Sequence, residues 1–314
     1  MREIVIDAHT CGQRLDRFLL KYLNRAPKSF VQKMIRKRNV KLNDFRAMGG
    51  EMLHDGDVVR IFLSDAAIVG LTADKFVGGG AGALDILFED DNVLMVNKPP
   101  GVLSQPDCAD VRDSIADRAV SYLNAGSGVY SPAVVNRLDR NTSGVVALGK
   151  TNSALAWMSR AIAENRCEKL YLTVVAADVR EPFEVHAYLR KNSHKVAVIS
   201  AQPVEGAKRI LTSFEPLACA RGCTLLRAKL ETGRFHQIRA SLKYAGLPVV
   251  GDAKYGEPRV NADFRRRFGV TSQLLHCESL TFTQTEGLLG YLAGRRFEAP
   301  LPPVFQRVTE ELRT

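Results

Sequence analysis

A carboxylate flanked by two cations stands near the middle of the chain. Asp139 lies in V-N-R-L-D-R-N-T-S-G-V-V-A-L-G-K-T-N, residues 135–152, between Arg137 and Arg140. The apolar residues before it and the polar run N-T-S-G after it predict a turn between two strands. Neighbouring cations favour the ionised form of a carboxylate. Asp139 is therefore either an ordinary turn residue, which local chemistry alone favours, or a nucleophile that awaits an electrophile.

The elements around this stretch predict a sheet that carries it. Two short strands within 84–98 precede it, and two prolines end the second. Helices are predicted near 112–123, from about 153, from 231–239 to Gly246, and at 304–312. Strands dominate from residue 168 onward, at 168–175, 183–189, 195–199, 223–230 and 274–283. Many short strands with few helices between them predict an α+β class with a mixed, mostly antiparallel sheet, and residues 84–314 as one domain.

The first 65 residues have the pattern of a separate basic domain. They contain 13 Lys and Arg against 8 Asp and Glu, and so carry half of the net charge of +10. One helix is predicted over 13–25 and another from a cap at Ser29, followed by a strand at 40–43 and a hairpin. The apolar positions predicted to face inward are Leu15, Phe18, Leu19, Tyr22, Phe30, Val31, Met34 and Ile35. Residues 66–83, which include G-G-G-A-G, lack side chains for a core and predict a flexible linker.

Composition limits the class of protein. A length of 314 residues favours two domains, and no apolar run approaches the roughly 18 residues of a membrane span. The first residues, M-R-E-I-V-I-D, resemble neither a signal nor a transit peptide, so we expect a cytoplasmic protein. The six scattered cysteines predict reduced structural thiols and no metal site. The basic balance favours a polyanion as partner.

Four stretches resemble the motifs of the RluA family of RNA pseudouridine synthases. N-R-L-D-R-N-T-S-G is similar to the catalytic signature of the family, H-R-L-D-x-x-T-S-G. The others, in family order around it, are V-N-K-P-P-G-V-L-S-Q-P, E-K-L-Y-L-T-V-V and T-G-R-F-H-Q-I-R-A-S-L-K-Y-A-G-L-P-V-V-G-D-A-K-Y-G. Residues 1–65 are similar to the alpha-L RNA-binding module first known from a small-subunit ribosomal protein. That resemblance implies RNA contacts by Arg36, Lys37 and Arg38, which the second helix directs outward.

The resemblance implies an isomerase that converts uridine in RNA to pseudouridine. The N-glycosidic bond breaks, the uracil turns in the pocket, and carbon 5 bonds to the ribose. Nothing is oxidised or transferred from a donor, so we expect no cofactor and no metal. By resemblance Asp139 is the nucleophile, acting on the ribose or the base or by proton abstraction, and Arg234 is the guanidinium that keeps it ionised. Tyr171 would stack on the uracil and can act as a general base.

Five more residues within these motifs are considered for a role in substrate binding. By resemblance Arg137 takes the space left by the extruded uridine, and Ile238 lines the apolar wall of the pocket. His236 is interpreted as a structural histidine and not a catalyst. Asn136 stands where many members have His, and Phe235 where many have Thr. These departures bear on the choice of target more than on activity.

The expected partner is a structured RNA, and we expect a monomer that does not bind membranes. Large-subunit ribosomal RNA is the commonest target for this architecture by resemblance, with transfer RNA second. A non-catalytic RNA-binding or ribosome-assembly protein, built on a decayed synthase domain, should have lost at least one of Asp139, Tyr171 and Arg234. An RNA methyltransferase would need a glycine-rich cofactor loop after a strand, but the cluster at 78–82 precedes the first strand of its domain.

Overall fold

The computed structural model describes residues 1–72, 82–106, 113–123 and 131–312. The N-terminal part is a four-stranded antiparallel sheet in the order β1-β4-β2-β3. Its strands are β1 (Arg2–Val5), β2 (Val40–Leu42), β3 (Phe45–Arg46) and β4 (Val58–Ile61). Helices α1 (Leu15–Tyr22) and α2 (Lys28–Arg36) pack on it and share a core of their own, so both predicted helices are confirmed. The predicted cap at Ser29 is wrong, because α2 begins one residue earlier, after Pro27, whose ring restricts φ.

The predicted linker begins later than the sequence suggested. Residues 65–71 form a helix, α3 (Asp65–Leu71), and the Ser64 hydroxyl accepts a hydrogen bond from the Ala67 N–H at its start. Ile68 is buried in the N-terminal core and Leu71 packs against it. These apolar contacts explain why a stretch of small residues is helical. Residues 73–81 of the predicted linker lie outside the described residues.

In the part of the chain that the structure describes, the larger domain is built on one sheet of eleven strands. Their path is β11-β10-β12-β13-β9-β14-β8-β6-β5, with β15 paired to β14 and β7 to β8. Only β14 and β8 pair in parallel among the described strands, so the predicted mixed, mostly antiparallel sheet of an α+β fold is confirmed. The bounds are β5 (Ile86–Glu89), β6 (Val93–Lys98), β7 (Ala133–Val134), β8 (Ser143–Gly149), β9 (Cys167–Val175), β10 (Phe183–Lys191), β11 (Ala197–Ser200), β12 (Lys208–Ala220), β13 (Cys223–Leu230), β14 (Leu275–Phe282) and β15 (Arg296–Glu298).

Among the described residues, five α-helices pack on this sheet or at its edges. They are α4 (Ile115–Tyr122), α5 (Asn152–Ala163), α6 (Gln237–Tyr244), α7 (Pro258–Phe268) and α8 (Pro303–Glu311). The central strands β6 and β8 are buried along nearly their whole length, and α5 and α6 contribute apolar residues to the same core. No helix among the described residues is both long enough and apolar enough to span a bilayer.

The two parts touch where α5 begins. The Asn152 side-chain amide donates to the His9 carbonyl (2.9 Å), and Lys21 Nζ donates to the amide oxygen of Asn152 (2.8 Å). The His9 ring also lies 3.3 Å from the Lys150 carbonyl. These contacts place α1, and the basic helix α2 that packs on it, on the side of the larger domain where β8 ends.

Candidate active site

Asp139 lies in the turn between β7 and β8, and its side chain is 25% exposed. The Thr142 N–H donates to the Asp139 carbonyl (3.0 Å), which closes the turn. Ser104 holds the preceding residue, because its hydroxyl donates to the Leu138 carbonyl (3.0 Å) and accepts from the Leu138 N–H (2.9 Å). The backbone on both sides of the carboxylate is therefore restrained.

The guanidinium that contacts Asp139 belongs to Arg239, on α6. Its Nη1 donates to Asp139 Oδ2 (2.7 Å), while Nε and Nη2 donate to the two oxygens of Asp252 (2.6 and 2.9 Å). Burial opposes the charge of Arg239, but its hydrogen bonds and the charges of Asp252 and Asp139 raise its pKa. Burial likewise opposes ionisation of Asp252, yet Arg239 holds the pKa of that carboxyl below its usual range. Asp252 thus fixes the cation that faces Asp139.

This corrects the assignment of the clamping cation to Arg234. Arg234 is exposed, and its backbone N–H donates to the side-chain oxygen of Gln237 (3.0 Å). The two arginines beside Asp139 in sequence do not supply the contact either. Arg137 is exposed, and Arg140 Nε donates to the Gly101 carbonyl (3.1 Å). Residues next to each other in a turn point apart, so the partner of Asp139 comes from a helix 100 positions away.

Lys98, at the end of β6, is fully buried and organises the loop that carries Asp139. Its ammonium donates to the carbonyls of Pro99 (3.0 Å), Val102 (2.7 Å) and Arg140 (2.9 Å). Three carbonyls from two loops therefore converge on one cation. Burial lowers the pKa of Lys98 from its ordinary 10.5 to about 7, although the charge of Asp139 acts in the opposite direction.

Replacement of Lys98 by methionine should destabilise the larger domain by about 3 kcal/mol, because three partly buried carbonyls lose their shared donor. Since its folded pKa is depressed, the contribution of Lys98 to stability is greatest above about pH 10 and falls as the pH drops through about 7. The free energy of unfolding of the parent chain, relative to that of the variant, should therefore increase as the pH rises from about 7 to about 10. Urea unfolding at several pH values measures both. Lys229→Met, which removes only exposed ion pairs, should change stability by less than about 1 kcal/mol, and an equal loss would contradict the role of Lys98.

Tyr171 lies at the middle of the sheet, on β9, opposite Ala228 of β13 and Cys277 of β14. It is buried, and burial raises its pKa, with smaller contributions from Cys277 and the charge of Asp139. Burial therefore favours the protonated phenol in the free protein. Its two predicted roles, as a general base and as a ring that stacks on uracil, both stay predictions.

Sequence reasoning left His236 out of the site, but the structure places it there. His236 Nε2 lies 3.7 Å from Asp139 Oδ2, and Nδ1 lies 2.9 Å from the hydroxyl of Tyr255. The residue precedes α6 and has φ of 53°, in the left-handed region that residues other than glycine seldom adopt. Burial lowers the pKa of His236 to about 4, even though Asp139 acts in the opposite direction. The imidazole is therefore neutral near pH 7.

The remaining assigned residues differ in where they lie. Ile238 is buried in the main core, beside Arg239 on α6. Asn136 is buried too, and it donates to the Val145 carbonyl (2.9 Å) and accepts from the Ala147 N–H (2.7 Å). This makes Asn136 a structural bridge to β8 and weakens its predicted link to target choice. Phe235 is 38% exposed, stacks on His236 and has Lys191 Nζ 4.7 Å from its ring centre.

The basic residues assigned to RNA lie away from these motifs, on the N-terminal domain. Arg36 ends α2, and Lys37 and Arg38 follow it, all with exposed side chains. Arg38 has φ of 63°, so the chain reverses directly after the cluster and enters β2. The cluster thus forms one exposed cationic corner.

The arrangement around Asp139 suits nucleophilic chemistry. One carboxylate oxygen is held by a guanidinium that is itself fixed by Asp252, while the side chain remains partly exposed. A guanidinium fixed in this way forms a charge-assisted hydrogen bond of defined direction with a carboxylate. Tyr171 lies close enough to feel the charge of Asp139 and is part of the buried core. The site can therefore present a restrained anion to an electrophile.

Comparisons with known proteins show which family the chain resembles. Residues 92–244 match the family described as RNA pseudouridylate synthase. The chain is 30% identical to the ribosomal large subunit pseudouridine synthase C of Escherichia coli, over 99% of this chain and 96% of that protein. It is 28% identical to YlyB of Bacillus subtilis, described as an uncharacterized RNA pseudouridine synthase, over 96% and 95% of the two chains. The solved human RNA pseudouridylate synthase domain containing 4 has the same fold, with a TM-score of 0.57 at 19% identity over 73% of this chain and 92% of the human one.

Proposed function

Because this chain belongs to the family of RNA pseudouridylate synthases and is an enzyme that isomerises uridine in RNA, we propose that its target is large-subunit ribosomal RNA and that Asp139 is its nucleophile. The names of similar proteins support the target. Relatives in Escherichia coli, Salmonella typhi and Vibrio vulnificus are named ribosomal large subunit pseudouridine synthase C, and each aligns over at least 96% of its own length.

The observation that carries the role of Asp139 is its contact with Arg239. The 2.7 Å hydrogen bond from a buried guanidinium is charge-assisted, and it restricts the rotation of the carboxylate. Arg239 cannot be released easily, because Asp252, which is fully buried, would lose its partner. A surface turn residue would need no such support.

The reaction balances without any further reactant. The bond between N1 of uracil and C1′ of ribose breaks, and the bond between C5 and C1′ forms. The proton on C5 is lost, and N1 ends the reaction carrying a proton. Asp139 enters and leaves as a carboxylate, whether it bonds to the ribose or to the base in between. This scheme requires two things: a carboxylate held in place by Arg239 and a uridine flipped out of its stack.

Mapping of pseudouridines tests the target directly. Total RNA from cells with and without the gene should differ at one or more uridines of large-subunit ribosomal RNA. The purified enzyme should restore those sites on RNA from the deletion strain. Differences confined to transfer RNA would overturn the proposed target and leave the isomerase assignment in place.

We also propose that the N-terminal domain binds RNA phosphates. It has a core separate from that of the larger domain, which supports its description as a module. Besides the exposed corner of Arg36, Lys37 and Arg38, the domain exposes two aromatic rings, those of Phe45 on β3 and of Phe62 directly after β4. Cations supply affinity independent of sequence, and exposed rings can stack on unpaired bases.

Replacement of Arg36, Lys37 and Arg38 together by glutamine should weaken RNA binding by at least about 10-fold near 0.15 M salt. The slope of log K against log salt should also fall, by about 1 for each phosphate that the protein no longer neutralises. Fluorescence anisotropy with a ribosomal RNA fragment at several salt concentrations measures both. In a matched control, Arg221, Lys229 and Arg296 are replaced by glutamine. This changes the net charge by the same amount, but these three side chains already pair with carboxylates. Equal slopes in the two triple variants would contradict the proposal that the N-terminal domain binds RNA phosphates.

A further inference from the structure

His236 stands between two groups that determine the position of its proton. On one side lies Oδ2 of Asp139 at 3.7 Å, and on the other the hydroxyl of Tyr255 at 2.9 Å. The imidazole is 10% exposed, and it packs edge-on against the Tyr255 ring. The left-handed backbone of His236, with φ of 53°, sets the direction in which its side chain leaves the main chain. Such strain in a non-glycine residue is a reason to look for a function.

The hydrogen bonds of Tyr255 select one tautomer of His236. The Ala197 N–H donates to the Tyr255 hydroxyl oxygen (2.8 Å), so this oxygen already acts as an acceptor. Tyr255 is buried, and burial raises its pKa, which keeps the hydroxyl proton in place. That proton needs an acceptor, and His236 Nδ1 is the acceptor within reach among the described residues. Nδ1 therefore accepts, and the single proton of the neutral imidazole is on Nε2.

The opposite tautomer conflicts with both neighbours. A proton on Nδ1 would leave the Tyr255 hydroxyl proton without a described acceptor in a buried site. It would also direct the lone pair of Nε2 at the carboxylate of Asp139. With the proton on Nε2, the imidazole instead faces Oδ2 as a donor. Arg239 Nη1 donates to the same oxygen, and no described residue donates to Oδ1.

We propose that His236 is a positioning residue: its Nε2–H, together with Arg239, holds Oδ2 of Asp139 and thereby presents Oδ1 to the target uridine. The inference rests on the proposed role of Asp139 and extends it to one oxygen atom. The distance of 3.7 Å exceeds a hydrogen bond, and catalytic hydrogen bonds are often long in free enzymes and shorten when substrate binds. Tyr255, through the Nδ1 contact, sets the direction of the donor.

The tautomer is tested without any assay of activity. Long-range ¹H–¹⁵N correlation spectra of the full chain report which nitrogen of each imidazole carries the proton. The signals of His236 are assigned by their absence in His236→Met. We expect the Nε2–H form in the parent protein and a larger share of the Nδ1–H form in Tyr255→Phe, which lacks the donor to Nδ1. An Nδ1–H tautomer in the parent protein would overturn the proposal.

The positioning role is tested by two variants of similar length. His236→Gln keeps an N–H donor and His236→Met does not, so single-turnover isomerisation should fall roughly 10- to 100-fold in Met but by less than about 5-fold in Gln. Binding of RNA should change little in either variant, and thermal melting shows whether both are folded. Equal rates in Gln and Met would refute the role of the donor. Loss of activity in Asp139→Asn, measured in parallel, keeps this outcome separate from a failure of the proposed function.

Discussion

Replacement of Asp139 by asparagine should lower single-turnover formation of pseudouridine by a factor on the order of 10⁴ or more, as is typical when a nucleophile is removed. The neutral amide has nearly the same size and can still accept the hydrogen bond from Arg239, so the fold should be kept. RNA should bind equally well or slightly more tightly, because one negative charge is removed near phosphates. Release of tritium from carbon 5 of labelled uridine measures the rate, and anisotropy measures the affinity.

Two controls make the result for Asp139 interpretable. Asp178→Asn also removes one carboxylate charge, but from an exposed position, and should leave the rate within about 2-fold of the parent. Asp139→Ala cannot return to aspartate by deamidation, so it should be at least as inactive as Asp139→Asn. Retained turnover in the alanine variant would remove Asp139 from the mechanism and shift attention to another group near Tyr171.

The sheet was predictable where alternation of apolar and polar residues is regular. β13 (Cys223–Leu230) has the predicted bounds, and in its second half Leu226 and Ala228 are buried while Arg227 and Lys229 are more exposed. The longest strand, β12 (Lys208–Ala220), was missed. Pro216 interrupts its pattern, and the register against β13 shifts between Pro216 and Ala218. Proline removes a donor from the ladder, and a bulge accommodates it here, which no local pattern reveals.

The sequence indicated candidate residues of the site but not which of them contact one another. Asp139 and Tyr171 were found because each lies within a motif of its own. Their neighbours depend on contacts between motifs, and the turn of Asp139 meets α6 only when the sheet is assembled. One signal was available. Arg239 follows Ile238 and precedes Leu242 on a helix with apolar residues on one face, and a cation in such a place requires an acidic partner.

Replacement of Arg239, the arginine that contacts Asp139, should have the second large effect on activity. Arg239→Lys keeps a charge but cannot donate to Asp139 and to both oxygens of Asp252 at once, since three donors on one nitrogen lack the reach of the guanidinium fork. We expect isomerisation to fall by roughly 10²- to 10³-fold, the effect of losing one preorganised electrostatic interaction. Arg239→Met should also lower the melting temperature by about 10 °C, because Asp252 would be left buried and unpaired.

The matched control is Arg234→Met, which removes an exposed guanidinium from the same motif. It should keep the parent stability and a rate within about 3-fold, with a modest loss of RNA affinity if the side chain meets a phosphate. Arg239→Met combined with Asp252→Asn should regain much of the lost stability, because no buried charge is left without a partner, yet stay as inactive as Arg239→Lys or more so. Recovery of folding without recovery of rate would separate the two contacts of Arg239, the pairing with buried Asp252 and the hydrogen bond to Asp139. An active double variant, or an inactive Arg234→Met that folds normally, would instead return the clamping role to Arg234.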